Sequence, residues 1–179
     1  DRIAAIGHTN ELLARYPTAE RVDGRGRAVM AGFANTHTHL YLTLARGIFE
    51  DMSPPHKPPF VGGLARLPLP EVSPAQRQVM CQLGALEAIR SGTTLMLEDS
   101  IGIGRYGEWV QESGLRWVLC ERAWDRAKAS IGQPGPFEVD PALGEAGLAR
   151  IAECHARWHG NGDGRIRVGL AAWAPDMCS

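Results

Sequence analysis

The sequence predicts an α/β fold: about the first half of a (β/α)8 TIM-type barrel, joined to part of a small N-terminal β subdomain. Two observations predict it. Four short apolar segments alternate with amphipathic, capped helical segments, the pattern of a parallel sheet covered by helices. Each apolar segment also ends on charged or polar side chains, His37 and His39, Glu98 and Asp99, Glu121 and Arg122, Trp173 and Asp176. Barrels of this type gather their chemistry at that rim. A whole barrel takes roughly 250 residues, so a 179-residue chain holds only part of one. The chain opens on Asp1 rather than Met and stops just after a strand-like segment, which reads as a piece of a longer protein. An open doubly wound sheet fits less well, because no glycine-rich phosphate loop follows any of the strands.

The elements follow in order. Residues 2–6 read as a short strand ending at Gly7, Asp23-Gly24-Arg25-Gly26 reads as a turn, and residues 1–28 are assigned to the partial β subdomain. The barrel half is assigned to residues 29–179. Its first strand is placed at residues 29–34, running into Asn35-Thr36-His37-Thr38-His39. From about Leu44 to Val72 lies an irregular stretch with six of the chain's twelve prolines, a length that usually marks a functional loop.

Ser73 opens the clearest helix. It is placed as N-cap, with Pro74 at the first helical position and Gln76 completing a capping box. Val79, Leu83, Leu86 and Ile89 form its apolar stripe, and Gly92 stops it. The second strand is Thr93-Thr94-Leu95-Met96-Leu97. Tyr106, Trp109 and Val110 mark a short helix closed by Gly114, and the third strand covers residues 115–120. After a Gly/Pro-rich loop at about 130–137, Asp140-Pro141 caps a third helix. Its expected buried face is Leu148, Ile151, Ala152, His155 and Trp158. Residues 166–172 form the last strand.

Composition narrows the function. The chain is 44% hydrophobic and 22% charged, with a net charge of −1. That supports a packed core and argues against nucleic-acid or membrane partners. Four cysteines, Cys81, Cys120, Cys154 and Cys178, are widely spaced and suit free thiols in a reducing cytoplasm.

The sharpest motif is His37-Thr38-His39. On an extended chain, residues i and i+2 face the same way, so both imidazoles converge on one point. Neutral imidazole ligates Zn²⁺ or Fe²⁺. His155 and His159 are also spaced for a shared ion, but no Glu follows His155, and both sit in a helix's last turn, where cationic side chains favour the dipole. His56 falls in the proline-rich stretch as a candidate lid residue, and His8 reads as a solvated turn residue. Glu98 and Asp99 could work as an acid/base pair, or as a rim-arginine partner and a helix cap. Arg122 could pair with Glu121 or grip a substrate carbonyl.

The segment Met30-Ala-Gly-Phe-Ala-Asn-Thr-His-Thr-His-Leu-Tyr-Leu-Thr-Leu-Ala-Arg-Gly47 resembles the metal-binding opening of the amidohydrolase superfamily. It is most similar to the branch of triazine chlorohydrolases and of cytosine, guanine and adenosine-type deaminases. Residues 2–7, Ala88-Ile-Arg-Ser-Gly-Thr-Thr94, Gly114-Leu-Arg116 and the stretch from Gly169 to Ser179 resemble further parts of that branch. The resemblance implies one divalent metal ion, Zn or alternatively Fe, held in part by His37 and His39. Such an ion activates water for attack on an electron-poor sp² carbon while a carboxylate moves the proton. It implies a small heterocyclic substrate, with homo-oligomerisation left open. The other ligands and the proton-moving carboxylate would lie on strands five, six and eight of such a barrel, so no catalytic acid or base is assigned within this stretch.

Deamination is the expected reaction. Dechlorination, cyclic-amide hydrolysis and a non-catalytic half-barrel are the alternatives. Three residues depart from relatives of that branch. Trp173 stands where many have His, and its indole suits a flat, less anionic substrate better than a nucleoside. Leu42 stands where several purine deaminases have Gln, and Ala31 replaces a commoner Pro. Trp173, Leu42 and Arg122 are the expected substrate-binding residues.

Overall fold

A computed structural model of the chain describes residues 2–47, 72–127, 138–175 and 177–179. The polypeptide separates into two compact units, Asp1–Ala31 and Gly32–Ser179. In the first, the described residues hold one helix, α1 (Thr9–Arg15), and a turn in which the Arg27 N–H donates to the Gly24 carbonyl at 3.0 Å. The strand expected at residues 2–6 does not form. A strand needs a partner for its backbone groups. No described segment pairs with this one, and Ile3 and Ile6 are exposed. The helix lies between Gly7 and the turn at residues 23–26, where the sequence was assigned no element.

The second unit is a four-stranded parallel sheet in the order β1-β2-β3-β4. The strands are β1 (Phe33–Thr38), β2 (Thr93–Asp99), β3 (Arg116–Ala123) and β4 (Ile166–Ala172). β1 begins four residues later than expected, and a 3₁₀ turn, Leu40–Ala45, follows it directly. The crossovers contain α2 (Pro74–Arg90), α3 (Gly107–Glu112) and α4 (Pro141–Trp158). The proline-rich stretch, including His56, falls mainly on residues 48–71, outside the described residues. So do the Gly/Pro-rich loop at 130–137 and Asp176.

Local chemistry explains the helix starts. The Ser73 hydroxyl accepts from the Gln76 N–H while the Gln76 side chain accepts from the Ser73 N–H, closing the capping box, and Asp140 caps α4 by accepting from the Ala142 N–H. The core lies between the sheet face carrying Met96, Trp117, Leu119 and Ile166 and the helices, through Cys81 and Ala85 of α2, Trp109 and Val110 of α3, and Cys154 and Trp158 of α4.

The expected helix faces need correction. α2 buries Met80, Cys81, Gly84 and Ala85, whereas Val79, Leu83, Leu86 and Ile89 are exposed. Its small residues let the 3₁₀ turn approach closely, so the side that fits against the fold is not the bulkiest one. A Cβ on Gly84 would lie 2.5 Å from the Thr43 hydroxyl and 2.8 Å from a Leu40 methyl. In α4 the buried set is Gly147, Cys154 and Trp158, with Leu148, Ala152 and His155 outside.

Gly107 makes the tightest helix contact. Its Cβ position is 2.0 Å from Cε2 of the Trp158 indole, which is pinned by donating from Nε1 to the Gly104 carbonyl at 2.7 Å. Gly107→Ala should therefore cost about 3 kcal/mol by forcing the indole from its seat. Urea unfolding of the variant against wild type measures this directly.

Candidate metal centre

The strand ends assemble a site on the sheet face opposite the core. Asn35 and His37 alternate with Thr36 and Thr38 along β1, and His39 follows at the strand's end. The two imidazole centroids are 4.8 Å apart, and the rings stand edge to face at 72°. The Asn35 side-chain oxygen accepts from the His37 N–H at 3.1 Å, bracing the backbone between the two histidines.

His39 is held more firmly. Its Nδ1 lies 2.8 Å from the Asp99 carbonyl oxygen. A carbonyl oxygen only accepts, so Nδ1 carries the proton and Nε2 keeps its lone pair. Burial pulls the His39 pKa below the ordinary value despite that hydrogen bond, and the positive charge of Arg122 acts in the same direction. The ring is therefore kept in the neutral form that a metal ion needs.

Glu98 and Asp99, adjacent at the end of β2, secure this strand end from both sides. Glu98 has no solvent exposure. Its carboxylate accepts from the Thr38 hydroxyl at 2.7 Å and from the Leu40 N–H at 3.0 Å, gripping the residues on either side of His39. It thus caps the 3₁₀ turn at Leu40–Ala45. Burial pushes its pKa up to about 7. Asp99 pairs with Arg122, with Nε to Oδ1 at 2.5 Å and Nη2 to Oδ2 at 3.1 Å. Of the sequence readings of this acid pair, the rim-arginine partner describes Asp99, whereas neither acid is the N-cap residue of a described helix and Glu98 instead binds the start of the 3₁₀ turn from the neighbouring strand.

Of the two alternatives for Arg122, the pairing with Glu121 does not occur. The two residues are neighbours on one strand and point to opposite faces. Glu121 instead accepts from the Gly102 N–H at 2.7 Å and lies 3.7 Å from Arg150 Nε. The Arg122 guanidinium, 6% exposed, also hydrogen-bonds Tyr41 and lies over the Trp173 ring at 5.8 Å from its centroid. Trp173 packs edge to face against Trp124 at 5.3 Å. Leu42 is half-buried in the 3₁₀ turn.

The structure therefore brings His37, His39, Arg122 and Trp173 to one end of the sheet. Sequence reasoning missed Tyr41 and the carbonyl of Asp99. Neither carried a signal, since any residue supplies a carbonyl and an isolated Tyr reads as packing. His155 and His159 stack with centroids 4.3 Å apart, but His159 Nδ1 accepts from the Val168 N–H at 3.2 Å, so that ring fastens α4 to β4. His8 stands at the N-cap position of α1 without a side-chain capping bond.

A family model described as the amidohydrolase family matches residues 28–179. This chain belongs to the amidohydrolase family. Among its relatives, it is 32% identical over 160 residues to a 5-methylthioadenosine/S-adenosylhomocysteine deaminase of Halothermothrix orenii, covering 88% of this chain and 32% of that protein. It is 33% identical over 186 residues to a 5'-deoxyadenosine deaminase of Methanothermobacter thermautotrophicus, covering 100% and 38%. Among solved structures it is similar to an adenosine deaminase from Xanthomonas campestris with bound zinc. The TM-score is 0.58 at 22% identity over 80% of this chain and 29% of that one, which speaks for the fold. The fold is thus of the TIM-barrel type, present in part. The chain spans about a third of the length of the curated relatives it matches.

The residues of this amidohydrolase stretch fit part of a metal site. The close, edge-on imidazoles and the free Nε2 of His39 suit two ligands of a shared ion. Among the described residues, no group of three or more His, Cys, Asp or Glu side chains is placed to hold one. Two imidazoles fall short of the three or four protein ligands that zinc takes.

The buried Glu98 gives a pH signature. Its carboxyl titrates at about 7 in the fold, against 4.5 for an unperturbed glutamate. The folded chain therefore holds a proton that the unfolded chain releases between those values. The stability Glu98 contributes is complete below about pH 4.5 and is lost as pH rises through about 7. The melting temperature of wild type relative to Glu98→Gln should fall between pH 5 and pH 8. Calorimetry of both across that range checks the sign.

Proposed function

We propose that this chain is part of a metal-dependent hydrolase acting on a C–N bond of a small heterocyclic substrate, with hydrolytic deamination as its reaction. The observation that carries this reading is the convergence of His37 and His39, with the His39 ring oriented by the Asp99 carbonyl. The relatives' names as deaminases support it. The zinc in the Xanthomonas campestris structure supports zinc as the ion, with iron as the alternative, at one per chain. A bound divalent ion would supply Lewis acidity, drawing the pKa of water towards ~7.

This stretch contributes two ligands and a wall of the substrate site. Trp173 offers a flat indole face for stacking and one N–H donor, and Leu42 an apolar contact. Arg122 lies against Trp173 at the same end of the sheet. Dechlorination and cyclic-amide hydrolysis are variants of the same chemistry. The second reading, binding without turnover, draws on the two-imidazole donor set among the described residues. Free cysteines, three of them buried, support a reducing compartment, the cytoplasm. No helix among the described residues is long and apolar enough to cross a membrane.

Metal analysis of the full-length protein should find about one Zn²⁺ or Fe²⁺ per chain, and the His37→Ala/His39→Ala double variant should lose it. Stoichiometric metal in the double variant would reject the assignment. Ammonia release from adenosine-type nucleosides, cytosine, guanine, pterins and triazines then separates turnover from binding alone. Within that panel, Trp173→His should change the relative rates more than it lowers metal content. Unchanged ratios would remove Trp173 from the substrate site.

A further inference from the structure

We propose that the helix side of the sheet carries a second site, an arginine-lined cavity that binds a small phosphate-bearing anion. It is separate from the imidazole pair and needs neither a metal ion nor turnover.

α3 is only six residues long. A second 3₁₀ turn, Ile103–Tyr106, precedes it in the layer between α2 and α4. A hollow of about 340 Å³ opens there, lined by residues of α2, the turn, β3 and α4. That volume is ordinary for a small-molecule site. Four of the lining side chains are arginines: Arg77 from α2, Arg105 from the turn, and Arg150 and Arg157 from α4. Only two carboxylates, Glu121 and Glu153, line it with them, so positive charge is in excess.

Much of that positive charge is uncommitted. Among the described residues, the guanidinium groups of Arg77 and Arg105 make no hydrogen bond or ion pair. Arg150 Nη2 donates to the Arg122 carbonyl at 3.1 Å, but its Nε is buried without a hydrogen-bond acceptor. Glu121 Oε1 stands 3.7 Å from that Nε and accepts from the Gly102 N–H instead. Arg157 lies 3.6 Å from Glu108, but both side chains are exposed, so that pair restrains it weakly. Phosphate oxygens supply the missing acceptors, and a guanidinium fork fits two of them at once. The chain has a net charge of −1, so a general attraction of anions does not account for binding there. A concave wall that also carries Glu153 suits a small anion better than an extended polymer.

The test titrates pyrophosphate and inorganic phosphate into the full-length protein by calorimetry. Pyrophosphate should bind saturably with a Kd of about 1 mM or tighter at low salt, and more weakly as salt is added. Tryptophan fluorescence should follow the same curve, because Arg157 lies over Trp158 at 4.9 Å and Arg150 over Trp124 at 5.1 Å. Arg77→Gln/Arg105→Gln should weaken binding about threefold or more. Glu153→Gln, which removes a repelling charge, should tighten it, a direction that a damaged fold would not give. Arg90→Gln alters an arginine of α2 outside the cavity and should leave binding unchanged. Melting curves confirm that each variant keeps the fold. The proposal is overturned if pyrophosphate binds more weakly than about 1 mM at low salt, or if the arginine double variant loses less than about threefold. It is equally overturned if Glu153→Gln fails to tighten binding, or if Arg90→Gln weakens it as much as the double variant does. Binding that disappears in His37→Ala/His39→Ala but survives the arginine substitutions would place the phosphate on a metal ion, and also overturns it. Failure of the metal reading alone leaves this site untouched.

Discussion

A carboxylate sealed from solvent ties the end of β1 to the end of β2. Glu98 accepts from Thr38 and from the Leu40 N–H, so the backbone on both sides of His39 is fixed to the neighbouring strand. Breaking up a buried set of hydrogen bonds leaves donors unsatisfied. The imidazole pair, the 3₁₀ turn behind it and the close approach of α2 at Gly84 all depend on this one junction. Burial raises the carboxyl's pKa, so the junction is stabilised by its hydrogen bonds while opposed by desolvation of its charge.

Consecutive residues divide the work of each strand end between two faces. Glu98 turns to the helices and secures the backbone, whereas Asp99 turns to the site and holds Arg122. In β3, Glu121 meets the Gly102 turn and Arg150 on the helix side, and Arg122 joins Asp99, Tyr41 and Trp173 on the other. Charges that secure the backbone and charges that face the candidate site are thus kept apart by the pleat itself, although they are adjacent in sequence. This arrangement lets a site with several ionisable groups sit on a sheet whose other face is an apolar core built on Met96, Trp117 and Leu119.

Much of this was legible in the residues. The His-x-His spacing located the candidate metal centre because alternation along a strand is set by covalent geometry. The capping box at Ser73 and the last strand, residues 166–172, were readable because caps and β-propensity act locally. The buried helix faces were not. Periodicity finds the greasiest side of α2, Val79 through Ile89, but the fit of Gly84 and Ala85 against Leu40 and Thr43 is decided by shapes distant in sequence. The partner of Arg122 needed the register of β2 against β3, in which Asp99 faces Cys120, and register is a tertiary property. That Glu121 could not be the partner was available from strand parity alone.

The alternation in β3 also bears on how this segment can change over generations. Replacing a residue there alters one contact, but deleting or inserting one within Arg116–Ala123 would shift every later side chain to the opposite layer. The arginine would enter the oily interior and the glutamate would stand beside the imidazoles, reversing the sign of charge in both places at once. Gains and losses of sequence should therefore collect in the connections between elements, while the strand keeps its length as strictly as its composition.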